Sequence, residues 1–113
     1  MENFLISLVV PCYNEEMSAA AFTKRSVEVL EKIGQKYEII FVNDGSRDNT
    51  LEVLKNLKNS YSGIRVVNLS RNFGKEAAMT AGIELSLGDV VIPIDADLQH
   101  PPELIEEFIS KWK

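Results

Sequence analysis

One stretch decides the fold of this 113-residue chain, and it reads Val90-Val91-Ile92-Pro93-Ile94-Asp95-Ala96-Asp97-Leu98-Gln99-His100-Pro101-Pro102. Its apolar first part, preceded by Gly88-Asp89 and followed by two prolines, predicts a buried strand whose carboxyl end opens into a loop. Open α/β sheets bind their ligands outside that end of their strands. Asp95 and Asp97 therefore stand where a ligand site is expected.

These two carboxylates predict a hard cation. Carboxylate and amide oxygens suit Mg²⁺ or Mn²⁺, which proteins commonly hold with one or two carboxylates plus substrate phosphates. A phosphorylated substrate is thus the expected partner. A D-x-D pattern by itself also fits a plain turn that caps the following helix, so both interpretations stay open at this point.

Length and composition indicate one small domain. The chain is 45% hydrophobic and 26% charged, which is ordinary globular usage, and its net charge of -5 argues against non-specific nucleic-acid binding. Cys12 is the single cysteine, which excludes an internal disulfide and favours a reducing, cytoplasmic setting. We expect it to be a buried small hydrophobe.

Apolar segments alternate with amphipathic ones along the whole chain. The predicted strands cover residues 5–10, 37–42, 64–69 and 89–94, and the predicted helices cover 18–35, a segment from 48 onward, 74–87 and a segment from 102 onward. Pro11 should end the first strand. The last helix should turn four side chains inward, Leu104, Ile105, Phe108 and Ile109. This order predicts an α/β fold with a doubly wound, mostly parallel sheet and right-handed crossovers.

Polar segments follow each strand and should meet at one edge of the sheet. Tyr13 offers a ring for stacking a base, and Asp44 offers an acceptor for base N–H or ribose hydroxyl groups. Singly, Tyr13 also fits a packed surface aromatic, Asp44 a plain turn, and Arg71 or Lys75 a solvated charge. Neither glycine-rich phosphate motif is present, so a metal should meet most of the phosphate charge.

Three of these segments carry a family resemblance. Val9-Val10-Pro11-Cys12-Tyr13-Asn14-Glu15 looks like a V-P-x-Y-N-E segment, Val42-Asn43-Asp44-Gly45-Ser46-Arg47-Asp48 like a D-G-S-x-D loop, and Asp95-Ala96-Asp97 like a D-x-D motif. Their order resembles the amino-terminal half of the inverting family 2 glycosyltransferases, which have a GT-A type fold. Residues 69–78 and 95–103 are most similar to the polyprenyl-phosphate hexosyltransferases, the dolichyl-phosphate mannose synthase and bactoprenol glucosyltransferase group.

The resemblance implies a fold, a site and a cofactor. The sheet would have the strand order 3-2-1-4. The base and ribose would be lined by Pro11, Tyr13, Glu15, Val42 and Asp44. Ala96 would contact the nucleotide, and Arg71 would assist electrostatically. Mg²⁺ or Mn²⁺ with the diphosphate would be surrounded by Asp95, Asp97 and Gln99, of which the two aspartates would be catalytic.

The implied reaction moves one hexose, with inversion, from a nucleoside-diphosphate sugar to a polyprenyl phosphate. A UDP-sugar is favoured and GDP-mannose is possible. The setting would be cell-envelope glycan or glycolipid synthesis at the cytoplasmic face of a membrane.

The chain ends soon after the D-x-D motif. We therefore expect residues 1–113 to be a single donor-binding domain whose acceptor half is absent, inactive in transfer by itself, with a possible homo-oligomer through the truncated face. A phosphoryl-accepting receiver domain would need a lysine on a later strand, and nothing after Asp97 supplies it. A non-catalytic nucleotide- or partner-binding module stays open as the alternative.

Overall fold

The computed structural model describes residues 3–96 and 102–112. Within these residues, strands and helices alternate as β1 (Leu5–Cys12), α1 (Ala19–Ile33), β2 (Lys36–Asn43), α2 (Thr50–Ser60), β3 (Ile64–Asn68), α3 (Lys75–Leu85), β4 (Val90–Pro93) and α4 (Leu104–Trp112). The strands form one sheet in the order β3-β2-β1-β4, and each neighbouring pair is parallel. The predicted α/β fold and the strand order 3-2-1-4 are therefore confirmed.

Helices cover both faces of the sheet, as a doubly wound fold requires. On one face, side chains of α1, α2 and α4 join alternate residues of all the strands in a large apolar core. On the other face, α3 packs over a smaller cluster centred on Ile40, Val42 and Ala78. Strand β2 contributes to both clusters, and β1 and β2 are buried along nearly their whole length, so both strands read as continuous apolar runs.

Helix α3 lies unusually close to the strands beneath it. A Cβ placed on Gly82 would come within 2.4 Å of Val9 Cγ1 and 3.0 Å of Val42 Cγ2. Only a residue without a side chain fits at that distance, so the glycine sets how deeply the helix packs. The depth of the helix also sets where its first residues meet the loops at the carboxyl ends of the strands.

A buried carboxylate fixes the amino end of the sheet. Glu38 of β2 is 6% exposed and accepts hydrogen bonds from the Ser7 hydroxyl at 2.5 Å, the Leu87 N–H at 2.7 Å and the Arg65 guanidinium at 2.8 Å. Burial acts to raise the pKa of Glu38, but these hydrogen bonds and the charge of Arg65 outweigh it and lower that pKa below its usual value. The cluster ties the α3–β4 connection to three strands.

The prediction that Pro11 ends the first strand is wrong. Strand β1 continues to Cys12, and Pro11 and Cys12 pair with Val42 and Asn43 of β2. Val9 faces β4, because its carbonyl accepts the Ile94 N–H at 3.0 Å. Backbone groups alternate sides along a strand, so Pro11 also faces β4, beyond the last β1–β4 pair, and its missing N–H costs no sheet hydrogen bond.

The prediction for the last helix is half wrong. Ile105 and Ile109 are buried, but Leu104 and Phe108 are 42% and 46% exposed. The two pairs form adjacent rows at i and i+4 spacing, and only one row can face the core that α4 shares with α1 and the sheet. The other row lies beside β4 and lines a surface groove.

Candidate functional site

The loops that follow the strands surround a cavity of about 330 Å³ at the carboxyl edge of the sheet. Ten residues line it, namely Pro11, Cys12, Tyr13, Glu15, Asp44, Asn72, Gly74, Lys75, Asp95 and Ala96. They come from the ends of β1, β2 and β4 and from the loop and first turn that follow β3. The expected convergence at one edge is therefore present among the described residues.

The structure brings together six of the residues that the sequence singled out. Those lining the cavity are Pro11, Tyr13, Glu15, Asp44, Asp95 and Ala96. Val42 and Arg71 are not among the lining residues, and Asp97 and Gln99 lie outside the described part of the chain. The grouping unites the proposed base-stacking ring with three carboxylates.

Val42 and Arg71 have other surroundings. Val42 is fully buried beneath α3. Arg71 extends over the ring of Phe73, 4.8 Å from its centroid, and lines a separate concavity beside the β2–α2 loop. Within the described residues, Lys75 is the cationic side chain that lines the cavity of about 330 Å³, whereas the sequence had assigned the electrostatic role to Arg71.

Asp44 connects the loop after β2 to the start of α3. The residue is 3% exposed, and its two carboxylate oxygens accept the N–H groups of Phe73 at 2.8 Å and Gly74 at 3.1 Å. The Asn72 side chain also donates to the Asp44 carbonyl at 3.2 Å. An ionised carboxylate offers about four acceptor positions, so these two donors leave part of its capacity for a ligand in the cavity.

Close backbone contact supports the same junction. Gly45 has a φ of +65°, and a Cβ on it would come within 2.3 Å of the Asn72 nitrogen. Glycine alone combines this conformation with this approach. The Asp-Gly pair therefore packs closely against the β3–α3 loop. This contact joins residues that are nearly thirty positions apart in the chain.

A second set of hydrogen bonds joins the loops after β1 and β2. Asn14, at a φ of 54°, accepts the Arg47 N–H through its side chain at 2.9 Å, and its own N–H donates to Ser46 at 3.0 Å. Such a left-handed conformation is tolerated best by asparagine among residues with a side chain. The asparagine of the Tyr13-Asn14-Glu15 segment thus holds the loop that presents Tyr13.

The last aspartate of the D-G-S-x-D loop also has a positioning role. Asp48 accepts the Thr50 N–H at 2.9 Å and the Thr50 hydroxyl, and that hydroxyl in turn accepts the Glu15 N–H at 2.8 Å. Partial burial acts to raise the pKa of Asp48, but its hydrogen bonds from Thr50 and Glu16 lower it below the usual value. The motif therefore supplies scaffold as well as ligand-facing groups.

An ion pair closes one side of the cavity. The Lys75 ammonium lies 2.7 Å from Asp95 Oδ1, and the Asp95 side chain is 22% exposed. Both residues also line a neighbouring apolar groove of about 290 Å³, together with Met79, Ile92, Pro93, Ile94, Leu104, Ile105 and Phe108. The pair therefore stands between a polar cavity and an apolar one.

Cys12 contributes surface to the cavity and no reactivity. It is 1% exposed, and its thiol contacts the Val10 carbonyl at 3.6 Å. Burial, and secondarily the charges of Glu15 and Asp95, raise the pKa of this thiol far above its usual value. A protonated thiol is a poor nucleophile, so the expectation of a buried small hydrophobe is confirmed.

The donor set suits a hard divalent cation. Glu15, Asp44 and Asp95 present carboxylates to the cavity, and Asp95 already accepts a cationic group. The residues that the structure describes, which do not include Asp97 and Gln99, contain no group of three or more side chains placed to hold a metal ion. The carboxylates that line the cavity are of the ligand type that Mg²⁺ or Mn²⁺ prefers.

Sequence reasoning did not assign four lining residues to the site, Cys12, Asn72, Gly74 and Lys75, and it weighed Lys75 only as a solvated charge. For Lys75 a signal existed, because it opens the helix that follows the third strand, at the edge where the other groups gather.

In the part of the chain that the structure describes, no helix is both long and apolar enough to cross a bilayer.

Comparison with known proteins agrees with this geometry. An uncharacterised glycosyltransferase of Synechocystis sp. is 54% identical over 108 residues, which make up 96% of this chain and 34% of that protein. The bactoprenol glucosyl transferase of Shigella phage SfV is 45% identical over 96% of this chain and 35% of its own length. The chain therefore spans about a third of these relatives.

A solved structure gives the same result for the fold. Glucosyl-3-phosphoglycerate synthase from Mycobacterium tuberculosis, in complex with Mn²⁺, UDP and phosphoglyceric acid, superimposes with a TM-score of 0.76 at 25% identity, over 96% of this chain and 39% of that one. The predicted GT-A type fold is thus confirmed. The family described as Glycosyl transferase family 2 matches residues 7–113, and the chain belongs to that family.

Proposed function

We propose that this chain is the donor-binding part of an enzyme that transfers a hexose, with inversion, from a nucleoside-diphosphate sugar to a polyprenyl phosphate. The observation that carries the proposal is the polar cavity, where an aromatic ring and three carboxylates converge beside an ion pair. The similarity to a bactoprenol glucosyl transferase supports the polyprenyl-phosphate acceptor. As part of the same proposal, the process is cell-envelope glycan or glycolipid synthesis at the cytoplasmic face of a membrane.

The nucleoside would bind against the β1 and β2 ends. Tyr13 is 42% exposed and provides a stacking surface, while the remaining acceptor positions of Asp44 suit a base N–H or a ribose hydroxyl. Pro11 and Ala96 complete the apolar part of the wall. Val42 supports this wall from beneath α3, and Arg71 acts only as a more distant charge. We favour uridine over guanosine, with GDP-mannose as the other possible donor.

The diphosphate would lie toward Asp95. Asp95, with Asp97 and Gln99, would hold Mg²⁺ or Mn²⁺, which as a Lewis acid neutralises the charge that develops on the departing diphosphate. A phosphate monoester has a second pKa of about 6, so the acceptor is already largely ionised near neutral pH and needs no strong base.

Titration calorimetry tests donor binding. UDP should bind this chain, and Mn²⁺ should strengthen the binding. Asp97→Ala should abolish the effect of Mn²⁺, while Asp44→Ala should weaken UDP both with and without the metal, because its partner is the nucleoside. UDP affinity that responds to neither Mn²⁺ nor Asp97→Ala would remove the metal role, and no binding of UDP, UDP-glucose or GDP-mannose would remove the proposal.

Transfer by this chain alone is expected to fail. A positioned acceptor lowers the barrier by up to roughly 7–11 kcal/mol, and we propose that residues 1–113 supply the donor cavity without the site that positions the lipid phosphate. A radiolabelled-sugar assay with undecaprenyl phosphate, detergent and Mn²⁺ measures this. Lipid-linked product would show that residues 1–113 include the acceptor site, and that their division from an acceptor half is mistaken.

A non-catalytic partner-binding module is the alternative, and the exposed Leu104 and Phe108 beside β4 favour it. Pairing of two copies through this face is the simplest form. Sedimentation velocity over a range of concentrations detects such a dimer, and Phe108→Ser should dissociate it. A monomer at all concentrations would exclude self-association through the groove.

A further inference from the structure

Lys75 occupies a position that its own helix does not favour. It is the first residue of α3, where the helix N–H groups carry partial positive charge and a basic side chain is unfavourable. Its ammonium reaches instead to Asp95 Oδ1, twenty positions along the chain, at 2.7 Å. The ion pair rather than the helix therefore accounts for where this charge lies.

The Lys75–Asp95 ion pair is partly exposed to solvent, so the lysine side chain has room to move. The Lys75 side chain is 60% exposed, and that of Asp95 is 22% exposed. Four flexible methylene groups separate the ammonium from the helix, so the charge can shift by several bond lengths without moving the backbone. Both residues line the polar cavity as well as the apolar groove, so the ammonium lies at the border of the two.

We infer that Lys75 is the counter-ion of Asp95 while the cavity is empty. When the donor binds, the Lys75 side chain moves so that its ammonium pairs with the phosphates instead. This inference rests on the proposed function, since it assigns the diphosphate to the same cavity. An oxygen of Asp95 that accepts an ammonium at 2.7 Å is less available to a divalent cation, and the two positive charges repel. A diphosphate removes both obstacles because it attracts the ammonium away.

This arrangement predicts opposite effects of one substitution on two ligands. Lys75→Met should strengthen the binding of Mn²⁺ alone, because Asp95 loses its competitor. The same change should weaken UDP measured without metal, because the phosphates lose a charged partner. A charge-assisted hydrogen bond is commonly worth about tenfold or more in affinity, and we expect shifts of about tenfold in each direction.

A pair that only braces α3 against β4 predicts something else. Its loss would lower thermal stability and would move both affinities downward or leave both unchanged. Lys75→Arg keeps the charge at the same place and should bind Mn²⁺ and UDP within about threefold of wild type. Lys55→Met is the matched control, because it removes a lysine from the exposed pair with Glu52 on α2.

The experiment measures Mn²⁺ alone by the loss of its electron paramagnetic resonance signal and UDP alone by calorimetry, on wild type and all three variants. Opposite shifts in Lys75→Met, absent in Lys75→Arg and Lys55→Met, support the inference. Parallel shifts, no shift, or failure of both Lys75 variants to fold would overturn it and make the pair a structural brace. Wild-type protein that binds no UDP at all would instead defeat the proposed function.

Discussion

The two ends of the sheet each bury a carboxylate, and they use it differently. At the amino end, Glu38 accepts three hydrogen bonds from strands β1 and β3 and from the chain before β4. At the carboxyl end, Asp44 accepts two backbone N–H groups at the start of α3 and borders a cavity of about 330 Å³. Their exposures, 6% and 3%, are almost the same.

Burial therefore does not distinguish the two carboxylates, whereas remaining acceptor capacity does. Glu38 forms an ion pair with Arg65, and its hydrogen-bond donors come from two strands and from the α3–β4 connection. Asp44 has two backbone donors and lines the same cavity as Tyr13 and Asp95, so part of its acceptor capacity remains. We expect changes at the amino end to alter stability alone, and changes at the carboxyl end to alter stability and ligand binding together.

The largest expected effect comes from Gly45→Ala. The new methyl group would meet the backbone of the β3–α3 loop, and the backbone would keep a left-handed φ, so the free energy of unfolding should fall by roughly 3–4 kcal/mol and UDP binding should be lost. Gly34→Ala is the matched control, because its φ is +81° with no atom within 4 Å, and it should cost about 1 kcal/mol. Equal losses in urea unfolding would contradict the close contact.

Glu38→Gln tests the amino end. It leaves Arg65 without its charge partner and places an amide among three donors, so the free energy of unfolding should fall by about 2–3 kcal/mol. The folded protein should bind UDP as wild type does. Glu52→Gln, which alters an exposed pair, should cost less than about 1 kcal/mol. A weakened UDP affinity in Glu38→Gln would break the contrast between the two ends.

Asp44→Asn tests the carboxyl end. Asparagine keeps one acceptor oxygen and replaces the other with an amide nitrogen, so one of the two N–H groups, of Phe73 or Gly74, loses its acceptor and stability should fall by about 2 kcal/mol. UDP affinity should fall at least about tenfold in the folded fraction. Calorimetry below the unfolding transition, with circular dichroism on the same sample, separates the two losses. Unchanged affinity would assign Asp44 a purely structural role.

The smallest expected effect is on pH dependence. Because the pKa of Glu38 is lowered by folding, its contribution to stability is present above the ordinary value of 4.5 and is lost as the pH falls through the lower folded-state value. Below pH 4.5, wild-type stability should decline more steeply than that of Glu38→Gln, by at most about 1.4 kcal/mol per pH unit. Parallel curves in urea titrations would show that the carboxylate gains nothing from its partners.

The sequence predicted what depends on local pattern and missed what depends on distant contact. The parallel α/β sheet and the clustering of Tyr13, Asp44 and Asp95 followed from apolar runs and strand-end placement, and the strand order followed from the family resemblance. The prediction that Pro11 ends β1 rested on the low strand propensity of proline. Whether β1 can continue through Pro11 depends instead on where the neighbouring strand β4 stops. Leu104 and Phe108 fit the helical period as well as the buried pair does, so the period could not say which row faces the core.

The site shows the same division. The acidic residues were recognisable by their type. The two N–H groups that bind Asp44 belong to a distant loop, however, and no sequence pattern indicates that this loop contacts Asp44. Likewise the pairing of Lys75 with Asp95 depends on how α3 lies across the sheet, which is a property of packing. The metal role of Asp97 and Gln99 stays a prediction, since both lie outside the described residues.

The glycine in the middle of α3 has a consequence for engineering. A stabilisation programme guided by helix propensity would choose Gly82→Ala, which gains up to about 1 kcal/mol in an exposed helix. Here the added methyl group would press on Val9 and Val42, and the helix would have to rise from the sheet. Its first turn, which carries Lys75 and the N–H groups bound by Asp44, would move with it. A more thermostable variant is therefore better sought on α2, whose exposed face can be redesigned without moving the first turn of α3.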